Sequence, residues 1–405
     1  MMIEYQVISR KSENEKRLVV LFFFSFLLCF IRQTSLIACI VSILIIAYFL
    51  IEYDIGRTKF DYFLFLIGRL KLERQLMNAK IYVRLNSRKT GNIYVKLPKI
   101  HILRQSEFKI WIQIELAIDN YNILKEFDFS PIFKGYRQMR VIDTIGRESI
   151  IFELEKVDYD RQFKFRNIRE IVEQNWDISK IRIDKNTEIN TLNHILLSGQ
   201  TGSGKTYALL YLLLILAVRN AEISVCDPKN SDLAELSKKL KIESKTSATD
   251  IVKEVKNVYL EMEKRKKQRI KENWPISTTA VDNGLNLRIL VVDEFASLQL
   301  KLQKKELDEL LKYIYQIILE GRALSCFVIL GMQQANATVI PTSLREQFGS
   351  IFVLGNSGEQ TFNVAFQEKA DNLPKFPLKA GEGWLVQNTD IEPKFVRFPF
   401  LEFLI

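Results

Sequence analysis

Residues 199–206 read Gly199-Gln200-Thr201-Gly202-Ser203-Gly204-Lys205-Thr206 and complete the pattern G-x-x-x-x-G-K-[ST]. The apolar run Ile195-Leu196-Leu197 precedes the loop, and a helical run from Tyr207 to Val218 follows it. A strand, this loop and a helix in succession make a phosphate-binding loop, and they demand an α/β sheet to hold them. The glycines let backbone N–H groups close around phosphate oxygens, and the helix adds its positive N-terminal end. Lys205 is placed to reach the β- and γ-phosphates, and the Thr206 hydroxyl to hold Mg²⁺. A glycine loop that merely turned a strand into a helix would have no use for Lys and Thr in register.

A second element lies downstream. Arg288 is followed by Ile289-Leu290-Val291-Val292-Asp293-Glu294. Four apolar residues read as a buried parallel strand, with two carboxylates at its C-terminal end. Ligands of open α/β sheets bind at that end. Asp293 is read as part of the Mg²⁺ shell and Glu294 as the group that polarises the attacking water. Alone, acids closing a strand are commonplace; behind a phosphate loop they complete an ATPase. ATP and Mg²⁺ are the expected cofactors.

The chain has 405 residues, enough for about two or three domains. Its formal charge of +10 suits polyanions or anionic lipid as partners, or reflects a generic basic surface. Cys29, Cys39, Cys226 and Cys326 form no C-x-x-C pair, and the last two sit in apolar runs, as reduced core thiols do. His101 and His194 lack metal-ligand spacing.

The N-terminal part is the most apolar. Residues 18–31 and 35–51 form two apolar stretches separated by Arg32-Gln33-Thr34. Each is shorter than the ~20 residues that comfortably span a bilayer. They read either as a hairpin of two short spans, or as one long span or a signal peptide. No small-residue cleavage site follows the first stretch. Arg10, Lys11, Lys16 and Arg17 precede it, and Arg57 and Lys59 follow the second. The positive-inside rule puts both flanks in the cytoplasm, which only the hairpin satisfies. The expectation is a two-pass anchor in the cell membrane over residues 1–58, with both ends cytoplasmic.

Residues 59–180 are expected to form a small α+β or β-rich domain. An apolar helix at 60–70 would lie on the membrane surface or pack on its neighbours. Strands are expected at 80–85, 92–97, 108–118 and 149–154, with Gly91-Asn92 turning a hairpin between the first two. Arg84, Arg88, Lys89, Lys96 and Lys99 face DNA, lipid or solvent. From 181 to 405 strands and helices alternate, with strands expected at 194–198, 222–226, 287–292, 326–331, 350–354 and 383–387. Helices are expected at 231–240, 247–273, 304–320 and 358–366. This is the rhythm of a parallel sheet covered on both faces. The helix at 247–273 carries Glu263-Lys264-Arg265-Lys266-Lys267-Gln268-Arg269, either a solvated face or a grip on a phosphate backbone.

Taken in order, several blocks resemble the FtsK/SpoIIIE family of DNA-translocating motors. They are the phosphate loop, Asp227-Pro228-Lys229, Glu261-Met262-Glu263-Lys264-Arg265, Val291-Val292-Asp293-Glu294-Phe295-Ala296, Gly321-Arg322-Ala323, and residues 329–334 with Pro341 and Arg345 beyond. The resemblance implies a RecA-like P-loop NTPase core over 181–405, a hexameric ring, and ATP-driven movement of double-stranded DNA. It makes Gln333 a sensor of the γ-phosphate, against an ordinary strand-end amide. It makes Arg322 an arginine finger acting in trans, against a structural ion-pair partner, with Arg345 as a second candidate. Lys229 would contact phosphate or DNA. Division-type members carry a larger membrane domain, a long linker and a winged-helix domain that this sequence does not show. The short layout is similar to the coupling ATPases of Gram-positive conjugative elements, which implies a relaxase and channel proteins as partners. Chromosome segregation in cell division, or protein secretion of the type VII kind, are the other readings. Secretion ATPases typically carry several motor domains in tandem, whereas one phosphate loop occurs here.

Overall fold

The computed structural model describes residues 40–45, 62–333 and 341–404, apart from 87–92, 107, 117–120, 145, 147, 371–372, 375 and 391. The two apolar stretches of the expected hairpin fall almost wholly outside the described residues. Among the described residues no helix is long and apolar enough to cross a membrane. The chain divides into two compact units, residues 1–159 and 160–405.

The first unit is α+β. The helix Tyr62–Asn78 buries Leu72 and Leu76, which stand one helical turn apart. Strands Val83–Asn86 and Ile93–Lys96 pair antiparallel, as the expected hairpin requires. A separate four-stranded antiparallel sheet runs in the order Ile100–Arg104, Lys109–Glu115, Ser149–Lys156, Tyr136–Asp143. Alternation along Lys109–Glu115 puts Ile110, Ile112 and Ile114 in the core beside Ile150, Phe152 and Leu154. The strands Ile100–Arg104 and Tyr136–Asp143 were not expected from the sequence. Tyr136–Asp143 breaks its alternation at a register shift between Gln138 and Arg140, which hides the period.

The second unit is built on an eight-stranded sheet. Its strands are β1 (Ile195–Gly199), β2 (Glu222–Cys226), β3 (Ser244–Lys245), β4 (Arg288–Val292), β5 (Cys326–Met332), β6 (Ser350–Leu354), β7 (Glu382–Gln387) and β8 (Lys394–Arg397). Its helices are α1 (Lys205–Val218), α2 (Asp232–Lys239), α3 (Ala248–Lys271), α4 (Phe295–Lys301), α5 (Lys304–Glu320), α6 (Thr342–Arg345) and α7 (Glu359–Phe366). The strand order is β3-β2-β4-β5-β1-β6-β7-β8. The first six in this order run parallel, but β6–β7 and β7–β8 pair antiparallel. The expected all-parallel sheet is therefore corrected to a mixed one. The connection from β7 to β8 is too short for the crossover that a parallel partner needs. Gly383 permits the β6–β7 approach, since a Cβ there would collide with the Val353 carbonyl oxygen.

One apolar layer packs α3, α5 and α7 on one face of the sheet, and the other packs α1 on the opposite face. Helix α1 is apolar all round, and every residue from Ala208 to Leu216 is buried. Such a helix needs cover on its outer side as well. Residues 160–190 supply it through Phe165, Ile171, Ile181, Ile183 and Ile189. Tyr211 of α1 donates its hydroxyl hydrogen to the Arg182 carbonyl at 2.5 Å and accepts from Asn175 Nδ2 at 3.1 Å. The structural boundary thus precedes the 180/181 boundary expected from the sequence, because residues 160–180 belong to the packing of α1. Cys226 and Cys326 are buried free thiols, and burial pushes the Cys326 thiol up to about 11.

Candidate functional site

Strand β1 ends in the phosphate loop at the carboxyl edge of the parallel strands. Gly202 and Gly204 adopt left-handed φ angles of +83° and +90°, which side chains rarely take. Gly204 caps α1, and Ala208 N–H donates to its carbonyl at 3.0 Å. The loop is braced from distant sequence. Gly381 N–H donates to the Ser203 carbonyl at 2.8 Å, and a Cβ on Gly204 would lie 2.5 Å from Gly381 N. Ser203 sits between Gly199 and Gly355, where Cβ atoms would approach it to 2.5 and 2.8 Å. Gly355 and Gly381 therefore support the loop, a role that the sequence motif does not signal.

Lys205 begins α1 and is buried. Its Nζ lies 2.5 Å from Asp293 Oδ1 and 3.4 Å from Glu294 Oε2. Asp293 and Glu294 follow β4 and are buried too. Asp293 N–H donates to the Cys226 carbonyl at 2.9 Å, and Asp293 Oδ1 accepts from Glu294 N–H at 2.9 Å. Glu294 adopts φ +52°, ψ +55° and caps α4. A left-handed non-glycine residue is strained, and here the strain aims a carboxylate at the lysine. Gly331 of β5 makes room for Asp293, since a Cβ there would stand 2.6 Å from Oδ1. Strand β5 lies between β1 and β4, so the loop lysine must cross over it to meet the acids.

Lys205 neutralises two buried carboxylates at a spot that accepts a cation. The hard oxygens of Asp293 and of the Thr206 hydroxyl, on the first turn of α1, are donors of the kind Mg²⁺ takes.

Residues 189–339 match the family described as AAA domain. Over 180 residues, 44% of this chain, the sequence is 28% identical to the FtsK domain-containing protein YdcQ of Bacillus subtilis (strain 168). The match spans only 38% of that relative's length. Among solved structures, the pCW3 conjugation coupling protein TcpA, in a monomer form with ATPγS, aligns with a TM-score of 0.53 at 17% identity. That alignment covers 76% of this chain and 90% of TcpA. The chain carries a P-loop ATPase core that is similar to the FtsK domain-containing relative. EssC (ATPases 2 and 3) from Geobacillus thermodenitrificans aligns with a TM-score of 0.42 at 14% identity, over 66% of this chain and 45% of that one.

Within this ATPase core the other expected residues fare differently. Gln333 follows Met332, whose register partner is Ser198, so it stands at the nucleotide edge and is half-buried. Gln200, Thr201 and Gly202 are exposed at the loop's outer rim. Arg322 is exposed, but it precedes β5 and lies at the opposite edge of the sheet. The length of β5, at ~3.3 Å per residue, separates it from Lys205 by about 20 Å. Its charge is felt instead by His194, which precedes β1 at that same edge. Arg322 is therefore not part of this chain's own site. Arg345 is buried, donates Nη1 to the Val364 carbonyl, and holds α6 against α7. That corrects its expected candidacy as a trans finger, because a finger must be free to reach another subunit. Lys229 comes into the site, with Nζ 3.4 Å from Glu294 Oε2.

Proposed function

We propose that this chain is a membrane-anchored ATPase that assembles as a ring and moves double-stranded DNA, delivering it to a conjugation channel. The observation that carries the reading is the joined Lys205–Asp293–Glu294 site in a fold shared with a conjugation coupling protein. When ATP seats on residues 199–206, Lys205 leaves the acids for the phosphates. Thr206 and Asp293 would hold Mg²⁺, which would supply neutralising charge to the phosphate oxygens. Glu294 then orients and deprotonates the water, and Gln333 reports on the γ-phosphate. Arg322 serves a neighbouring subunit of a hexamer, consistent with its place far from its own site. The apolar residues 18–51 anchor the motor, with both flanks cytoplasmic. Relaxase and channel proteins are the proposed partners.

The test is ATP hydrolysis by the full chain in detergent, with and without DNA. Double-stranded DNA should stimulate it without sequence preference and with steep salt dependence, because backbone contacts release counterions. Glu294→Gln should bind ATP yet hydrolyse it slowly. If no DNA stimulates while a secreted polypeptide does, the motor moves protein instead. Cysteine labels near residues 5 and 60 should be inaccessible from outside intact cells; labelling of either refutes the hairpin.

A further inference from the structure

Glu294 has a second lysine on it. Lys205 and Lys229 each place Nζ 3.4 Å from the same Oε2 atom. The Lys229 side chain is 42% exposed, whereas that of Glu294 is 7% exposed. The turn that presents Lys229 is fixed by its own first residue. The buried Asp227 carboxylate accepts from Lys229 N–H at 3.0 Å, Ser231 N–H at 2.7 Å and the Ser231 hydroxyl at 2.8 Å. The same turn is tied to the helix that Glu294 begins, because Lys301 at the end of α4 donates its ammonium to the Pro228 carbonyl. Residues 227–231 and 293–301 are thus joined at both ends, by Lys229 to Glu294 and by Lys301 to Pro228.

Strand order gives the two lysines different fates. Strands β4 and β5 stand between β2 and β1. At ~4.8 Å per strand, β2 lies about 14 Å from the strand that feeds the phosphate loop. Lys205 belongs to the phosphate loop and has a phosphate to move to when nucleotide binds; Lys229 belongs to the turn after β2, outside that loop, and its ammonium meets Glu294. A carboxylate held by an ammonium is aimed at the lysine rather than at water. We propose that Lys229 is a positioning residue that restrains Glu294 in the ATP-loaded site, and that movement of the turn 227–231 releases it. The restraint is modest by construction. A pair with one solvent-exposed partner is worth no more than ~1 kcal/mol, or about fivefold in a rate, so a shift of the turn can undo it.

The proposal rests on Glu294 being the water-polarising residue, and one experiment separates the two claims. Unstimulated steady-state hydrolysis is measured on the full chain for the wild type, Lys229→Gln, Lys229→Arg, Lys301→Gln, Glu294→Gln and the double variant Lys229→Gln/Glu294→Gln. Lys229→Gln should raise kcat roughly two- to fivefold with the KM for ATP unchanged. Lys229→Arg should restore the wild-type rate. Lys301→Gln, which loosens the turn without touching Glu294, should raise kcat in the same direction. The double variant should be as slow as Glu294→Gln, because the gain passes through that carboxylate. A Lys229→Gln kcat that is unchanged or lower, beside a slow Glu294→Gln, overturns the restraint alone. A Glu294→Gln variant at the wild-type rate overturns the role of Glu294 and the restraint with it.

Discussion

Glu294 shows how much a single residue's function owes to residues distant in sequence. Its strained backbone, its two lysines and the space beside Asp293 come from α1, β2 and β5. Gly331 gives the sharpest test of that arrangement. Alanine there would put a methyl group 2.6 Å from Asp293 Oδ1, inside a fully buried strand. Overpacking of this kind costs about 1–3 kcal/mol, and displacement of Asp293 should lower kcat by at least about tenfold. ATP affinity should change little; an unaltered kcat would mean that Asp293 can shift without loss. His194 offers a pH test. Its Nδ1 accepts from Val328 N–H at 3.0 Å, and burial, followed by the Arg322 charge, pushes its pKa from 6.5 down to about 3. The unfolded chain gains a proton below pH 6.5 that the folded chain refuses until about pH 3. The contribution of His194 is therefore full above pH 6.5 and lost as pH falls through that window, by about 1.4 kcal/mol per pH unit. His194→Gln keeps an acceptor without the titration, so its unfolding midpoint should fall less steeply on acidification; parallel curves would refute the assignment. The phosphate loop was legible because all its parts are contiguous. Gly331, Gly355 and Gly381 were not, since each is needed only for what a neighbouring strand or loop brings against it.

At the scale of elements, α3 resolves a question the sequence leaves open. Its basic run is not one face. Arg265 is buried and donates to the Asn286 carbonyl at 2.9 Å and the Leu324 carbonyl at 3.2 Å, which ties α3 to the start of β4 and β5. Lys266 pairs with Glu263 and Glu320, whereas Lys264 and Lys267 are exposed. Arg265→Ala should therefore destabilise the ATPase body by about 2–3 kcal/mol in denaturant titration, through buried carbonyls left without a charged donor. Lys264→Gln with Lys267→Gln should leave stability within about 0.5 kcal/mol. If that face grips DNA, the pair should lower the salt slope of DNA binding by about 0.9 for each phosphate no longer neutralised. An unchanged slope would make it a solvated surface.

For the whole molecule, the boundary between the two units is decided by α1. A body beginning at residue 160 should unfold cooperatively and bind ATP. One beginning at 181 loses Phe165 and Ile171, each worth about 2 kcal/mol of burial, from a stability of about 5–15 kcal/mol. It also loses Arg161, which pairs with the buried Asp184 at 3.5 Å and lies over the Phe395 ring. Its melting temperature should be lower, or it should aggregate; equal melting of both bodies would show that residues 160–180 are dispensable. By itself the sequence determined the nucleotide chemistry and the alternation of strands and helices, because a contiguous loop and local periodicity carry both. Only the tertiary structure decided that the last two strands run antiparallel, that residues 160–190 cover α1, that Arg265 and Arg345 are internal ties, that Arg322 lies away from its own site, and that Lys229 meets Glu294. Each of these depends on which strands become neighbours, and strand order is fixed by the burial of faces across the whole sheet, which no local stretch of sequence encodes.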